Sequence, residues 1–458
     1  MAEVLDRINR IVWGIPSLIL ILGVGLYFTI RSGFAQLRLF PAAMGRFASC
    51  FQKGSDDQKE SSFGALCTAL AATVGTGNIA GVAGAIAIGG PGSIFWMWIC
   101  AFLGMIIKFA EAALSVYYRQ QDGAGDNIGG PMYMIEMGMG HKWRWLAVTY
   151  CFFGVVAAFG MGNATQINAV VDSVSSVRSF LGQERSVTVD LLIAAFLAIL
   201  SGAVLLGGAK RIGSVASLLV PVASAAYLIM GTGAILLHAD QVPGAFRSIL
   251  EGAFSPGAVT GGVIGSFFTA LRVGASRGVF TNEAGMGTAA MAHGTSKVTH
   301  PVEQGLMGIV EVFIDTIVIC TMTALVILTS GTTIQFGLDE GAVLTTRAFA
   351  CTYGQWVSIP IAIFLICFAF GTMLGWGLYG LRCAEYLFGR GSWKSFVLAQ
   401  AAISIVSVLL KTGTVWVLAE TVNGLMAIPN LLCLAALSPV LLRLITEWKK
   451  RTGIRQCH

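Results

Sequence analysis

Apolar residues run along this chain in long blocks, separated by short polar stretches. A block of about 20 apolar residues is what a helix needs to cross the hydrocarbon core of a bilayer. Eleven such segments are predicted, at roughly 11–33, 62–90, 94–118, 143–171, 187–209, 212–237, 258–293, 303–330, 355–388, 393–410 and 413–443, numbered 1 to 11 below. Segments 2 and 7 are rich in glycine at mid-length and lie five segments apart. Interrupted helices in matching positions of two halves point to a transporter-type binding site. The predicted fold is therefore an all-α polytopic membrane protein with about 11 transmembrane helices. Segments 2–6 (62–237) and 7–11 (258–443) form two five-helix repeats, inverted because five is odd. Residues 1–61 supply an extra N-terminal helix and a loop, and 444–458 a basic tail.

Composition sharpens this reading. The 458 residues are 55% hydrophobic and 11% charged, where a soluble domain carries about 25% charged residues. The mean hydropathy is +0.77. The first block, Ile11 to Ile30, is too long for a signal-peptide core and lacks a cleavage site, so it is kept as a span. With the N-terminus outside, inner stretches carry 18 Lys and Arg and outer stretches 7. The inner set includes Arg31, Lys53, Lys210, Arg390, Arg443 and Arg455; the outer set includes Arg7, Arg10, Arg185 and Lys411. That bias places the C-terminus in the cytoplasm. The net charge of +6 reads as topology, not nucleic-acid binding. The 10 cysteines contain no C-x-x-C pair, so neither a disulfide framework nor a metal site is implied.

Chemistry is expected first in segment 2, at Gly75-Thr76-Gly77-Asn78. Each glycine costs about 1 kcal/mol against alanine in a helix, and irregular backbone at membrane depth survives only beside a cavity or buried in protein. Unwinding there frees amide N–H groups for a carboxylate and carbonyls for a cation. Small residues packing against a neighbouring helix are the simpler reading, and they suit Gly81, Ala85 and Gly89. In segment 4, Gln166 offers donor and acceptor to a zwitterion, while Asn163 and Asn168 read as interhelical hydrogen bonds. In segment 7, Gly274 and Gly278 mark the expected break, with Arg277 and Glu283 pairing as a gate or a structural latch in preference to contacting substrate. Lys108 and Glu111 read as a local pair on segment 3. Glu311 and Asp315, one turn apart on segment 8, form a cation site, a proton relay or a structural cluster. Trp376 of segment 9 is either a lid over a small ligand or helix packing, and Thr372 offers an oxygen to a hard cation. Trp13, Trp143, Trp145, Trp393 and Trp448 read as interfacial anchors. No paired histidines, G-x-S-x-G or H-E-x-x-H are present, which argues against an enzyme. A single broken helix per half argues against a channel.

Several stretches are together highly specific: ALCTALAATVGTGNIAGVAGAIAIGGPGSIFWMW (65–98), GGPMYMIEMGMG (129–140), GMGNATQINAV (160–170), ASRGVFTNEAGMGTAAMAH (275–293), EVFIDTIVICTMTALVILTSG (311–331) and NGLMAIPNLL (423–432). The chain thereby resembles the alanine or glycine:cation symporter family, within the amino acid–polyamine–organocation superfamily, over about 11–445. The resemblance implies the leucine-transporter-like inverted repeat, an inner-membrane location, and sodium-coupled uptake of small neutral amino acids. A proton-coupled symporter of the same fold is the alternative. No nucleic acid or obligate protein partner is expected. Substrate contacts are implied at Thr76, Gly77, Asn78, Gln166, Val273, Gly274 and Trp376, and a Na+ site at Ala71, Val74 and Thr372. Two departures fall in segment 9. Gly371-Thr372 stands where a serine–threonine pair is usual, and Trp376-Gly377-Leu378-Tyr379-Gly380-Leu381 where a W-S-Y-Y-G-E-like run is usual. In addition, Thr299 replaces an acidic residue before His300-Pro301.

Overall fold

The computed structural model describes residues 7–9, 11–51, 57–123, 125–338, 340–410 and 412–452. Arg10, Lys53, Lys411 and Arg455 of the charge count, and the tail past 452, lie outside the described residues. Apart from a two-stranded hairpin pairing Gln120–Gln121 with Asn127–Ile128, the regular structure among the described residues is helical.

Helices occupy all eleven predicted segments. Seven are long and apolar enough to cross a membrane: Ser93–Tyr117, His141–Phe180, Val187–Leu205, Gly208–Leu237, Pro301–Thr329, Gln355–Phe388 and Val415–Ala436. Segment 1, Ile15–Arg31, is shorter; segments 2 and 7 are interrupted; and segment 10, Ser392–Ser407, has 16 residues. Segment 11 ends at Ala436 rather than 443, and Ser438–Thr452 is a separate helix with Leu441, Leu444, Ile445 and Trp448 buried. Four connections fold into helices that the apolar-block pattern does not register: Phe40–Ser49, Pro131–Tyr133 running on into Met134–Met139, Val242–Phe254 and Ala342–Tyr353.

Burial sorts the segments into centre and rim. In segment 3, 83% of the apolar window is buried, against 33% in segments 5 and 6. Segments 5 and 6 turn Leu192, Phe196, Ile199, Leu218 and Ile229 outward, as lipid-facing helices do. Segment 3 reaches the centre because its partners present glycine. A Cβ on Gly305 would stand 2.9 Å from the Phe109 ring, and one on Gly308 2.8 Å from the Lys108 carbonyl. Without side chains in the way, segments 3 and 8 approach closely, the membrane counterpart of small-residue packing.

The same residue type corrects the expected break in segment 7. Helix Phe267–Asn282 passes unbroken through Gly274 and Gly278. A Cβ on Gly274 would run into the Ser93 carbonyl and stand 2.7 Å from Trp96 Cβ; one on Gly278 would lie 3.1 Å from Cys100 Cβ. These glycines are contacts with segment 3. The interruption lies at 283–287, where Glu283, Gly285 and Gly287 take positive φ values of 54°, 93° and 75°. The second half-helix is Thr288–His293.

Candidate functional site

Segment 2 runs as helix Asp57–Thr73, opens at Val74 and Gly75, makes one tight turn at Thr76–Asn78, and resumes as Ala80–Gly89. The break closes on itself: Asn78 Oδ1 accepts from the Gly75 amide at 2.9 Å, and the Asn78 and Ile79 amides donate to the Gly75 and Thr76 carbonyls. The first amides of the turn, those of Thr76 and Gly77, precede these donors. Helix Ala342–Tyr353 holds the far side, with Thr345 Oγ1 donating 2.9 Å to the Ile79 carbonyl.

Side chains from four other segments converge here. From segment 4, Gln166 Oε1 accepts from Thr76 Oγ1 at 3.2 Å, and Gln166 Nε2 donates to the Met161 carbonyl at 3.1 Å. A π-helical turn at Gly160–Ala164 sits directly before it, the kind of local irregularity often found at functional sites. From segment 9, Thr372 presses its hydroxyl on the break, 2.6 Å from where a Gly75 Cβ would stand. That hydroxyl is buried and has no hydrogen-bond partner among the described residues. Gly371 meets the Ala71 carbonyl, 3.3 Å from its would-be Cβ, and Gly375 meets Ala72. From segment 7, Phe280 and Thr281 flank Gly77, their nearest atoms 3.5 and 3.2 Å from its would-be Cβ. From segment 8, Asp315 accepts from Asn78 Nδ2 at 2.7 Å and from Thr316 Oγ1 at 2.8 Å. Asp315 too sits in a π-helical turn, Phe313–Cys320.

The structure thus brings Thr76, Gly77, Asn78, Gln166, Ala71, Val74 and Thr372 to one place. It does not bring Val273 and Gly274 there. Val273 lies against Gly89, its Cβ 2.9 Å from that glycine's would-be Cβ, and Gly274 against Ser93 and Trp96, at the far end of segment 2. Phe280 and Thr281, two turns later on the same helix, occupy the position expected of them. The signal for the shift was present: Gly285-Met286-Gly287 repeats the G-x-G of Gly75-Thr76-Gly77. That pattern marks the true break, from which the facing residues can be counted back.

Trp376 is fully buried one turn beyond Thr372, packed on Gly162, its Nε1 donating 2.6 Å to Glu283 Oε1. Glu283 therefore does not pair with Arg277, which meets Glu420 at 3.3 Å instead. Nor do Lys108 and Glu111 form an isolated pair. Lys108 lies 3.2 Å from Glu311 Oε1, whose other oxygen meets His293 Nε2 at 2.8 Å. Glu111 accepts from the Gly285 and Gly287 amides at 2.9 and 3.0 Å and from Asn430 at 2.7 Å, tying down the segment 7 break. Glu311 is thus locked in an ion pair, whereas Asp315 meets the site through neutral donors. Asn163 behaves as expected, donating to the Gln400 carbonyl and accepting from Ser404, each at 2.8 Å. Of the expected anchors, Trp13 and Trp448 are buried within the protein, and Trp13 donates 2.8 Å to the Glu420 carbonyl.

A cavity of about 680 Å³ opens on the Ala80–Gly81 side of the break, lined also by Asp172, Arg277, Trp416 and Glu420. Between it and the break, the Phe280 and Trp416 rings lie 5.4 Å apart. On the other side, Trp376 and Glu283 are fully buried. The residues of the break are themselves buried, and the cavity reaches the Ala80–Gly81 end of the break.

Comparison with known proteins finds relatives along almost the whole chain. The sequence profile of the sodium:alanine symporter family matches residues 1–456. The sodium/alanine symporter AgcS of Methanococcus maripaludis is 41% identical over 459 residues, covering 99% of this chain and 98% of that protein. The probable sodium/glutamine symporter GlnT of Bacillus subtilis is 34% identical, covering 98% and 92%. Among solved structures, MhsT in complex with L-phenylalanine superposes with a TM-score of 0.59 at 14% identity, over 84% of this chain and 97% of that one.

Proposed function

This chain belongs to the sodium:alanine symporter family, and we propose that it carries small neutral amino acids, alanine or glycine, together with sodium by alternating access. One observation carries the reading: a helix break lined by Thr76 and Gln166 lies against a buried threonine hydroxyl, Thr372, that has no partner among the described residues. Buried polar groups are normally paired, so that oxygen is free for a ligand. A bound sodium ion would supply a fixed positive charge beside the break. The Thr372 hydroxyl and the Ala71 and Val74 carbonyls are the oxygens to hold it, a donor set suited to a hard cation. The Thr76 and Gly77 amides take the substrate carboxylate, and Gln166 Oε1 takes its ammonium group. Phe280 and Trp376 bound the space left for the side chain. Because both ligands meet the same break, each raises the other's affinity by the same factor.

In this reading the 680 Å³ cavity is the outer vestibule, the N-terminus is outside and the C-terminus cytoplasmic. Residues 62–237 and 258–443 are the two repeats. A second reading, proton coupling, is favoured by one observation: Asp315, fully buried, reaches Asn78 of the break through neutral donors alone. Alanine uptake into proteoliposomes under an inward sodium gradient, compared with an inward proton gradient, tests both. Stimulation by sodium alone supports the first reading. Stimulation by protons alone, abolished in Asp315→Asn, replaces it with the second, and no alanine uptake under either gradient overturns the substrate assignment.

A further inference from the structure

Glu283 stands at the end of helix Phe267–Asn282 in left-handed backbone, φ 54°, a conformation glycine would adopt with less strain. Gly285 and Gly287 supply positive φ to the rest of the break, yet here a long acidic side chain is kept. Its two oxygens are divided between two donors. Oε1 accepts from Trp376 Nε1 and Oε2 from Thr288 Oγ1, each at 2.6 Å. An indole N–H can only donate, and Trp376 is completely buried, so without Glu283 its N–H would be stranded. The ring is fixed at its base by Gly162, where a Cβ would run into Trp376, and along its edge by Tyr379, centroid to centroid 5.8 Å. Gly162 lies one helical turn before Gln166, and Trp376 one turn after Thr372. The helices that carry Gln166 and Thr372 thus hold the body of the indole, while its polar tip is held from the break of segment 7.

We infer that Glu283 is a positioning residue for substrate selection: its carboxylate holds the Trp376 ring as the wall that sets how large an amino acid the site at the break admits. The inference rests on the site assignment made under Proposed function. Two packed contacts alone leave the ring free to tilt about its outer bond, whereas a hydrogen bond at the tip removes that freedom. Glutamine can keep the bond through its amide carbonyl, with the Thr288 hydroxyl turning to accept from the amide NH2; alanine cannot.

The test uses the full-length protein in proteoliposomes and compares kcat/KM for alanine and for the larger glutamine. In Glu283→Ala the glutamine-to-alanine ratio should rise about tenfold or more, the scale on which a pocket discriminates a small difference in side-chain size. Glu283→Gln should restore the ratio to within about twofold of wild type. Trp376→Phe should shift it in the same direction as Glu283→Ala, and the double variant should shift it no further. A 19F spectrum of 5-fluorotryptophan-labelled protein, with the Trp376 signal assigned by its loss in Trp376→Phe, reads the ring directly. That signal should move in Glu283→Ala and return in Glu283→Gln. An unchanged ratio in Glu283→Ala, an unmoved fluorine signal, or single effects that multiply in the double variant would overturn the inference. Should wild type take up no alanine, the substrate assignment fails, and the ratio is read with whichever of glycine, serine and glutamine wild type does carry.

Discussion

Replacing Thr372 by valine separates binding from folding, because the two are predicted to move in opposite directions. The Thr372 hydroxyl is 1% exposed and makes no hydrogen bond among the described residues. Its removal therefore gives up no bond in the ligand-free protein. An unsatisfied buried polar group costs about 1–3 kcal/mol, so Thr372→Val, which keeps the branched shape, should leave ligand-free stability unchanged or raise it by up to that amount. Binding should lose an oxygen ligand. If that contact contributes about 1.4–2.8 kcal/mol, the sodium concentration for half-maximal uptake rises roughly 10- to 100-fold. Thr372→Ser, which retains the hydroxyl, should stay near wild type, whereas Thr372→Ala should follow valine. The assay pairs thermal denaturation in choline and in sodium chloride with uptake measured across a sodium titration. Wild type should be stabilised by sodium and Thr372→Val much less so. A valine variant that melts earlier in choline yet keeps the wild-type sodium dependence would refute the reasoning, since the hydroxyl would then serve the fold and not the ion.

Further outcomes follow from the same contacts. Gly274→Ala forces a Cβ into the Ser93 carbonyl, so it should lower the yield of folded protein while leaving the KM for alanine unchanged; a raised KM with full yield would restore Gly274 to the site. Lys108→Met leaves the buried Glu311 with His293 alone, and removing one partner of such a pair costs about 3–5 kcal/mol. Thermal denaturation should show that loss, and Lys108→Met with Glu311→Gln should recover part of it. Asn78→Asp sets a second carboxylate against Asp315, which now accepts from Asn78 at 2.7 Å, and uptake should be lost. Adding Asp315→Asn re-creates a donor–acceptor pair and should restore folded protein, as judged by size-exclusion chromatography. Cys351 is exposed, on the helix between segments 8 and 9. A membrane-impermeant maleimide should label it in intact cells and not in Cys351→Ser, and protection of Cys351 until the cells are opened would reverse the proposed orientation.

What the sequence determined by itself is whatever depends on local composition. Segment position follows from apolar length, because a bilayer accepts only a helix with its backbone bonds satisfied within the segment. The break at Gly75–Asn78 follows from two glycines and an asparagine whose side chain folds back 2.9 Å onto the Gly75 amide, three residues away. Gln166 was legible for a similar reason, since an amide at membrane depth demands a partner. Which partner each buried group takes is settled only when distant segments pack together. Asn78 meets Asp315 across 237 residues and Trp376 meets Glu283 across 93, so no local pattern could pair them. Lys108 and Glu111 look like each other's partners at three residues' spacing, yet each is claimed by a more distant group. Glycine shows the same division. Gly75 opens a helix, Gly285 and Gly287 turn one, and Gly274 only makes room for segment 3. A missing side chain permits both unwinding and close approach, and the neighbour that arrives decides between them.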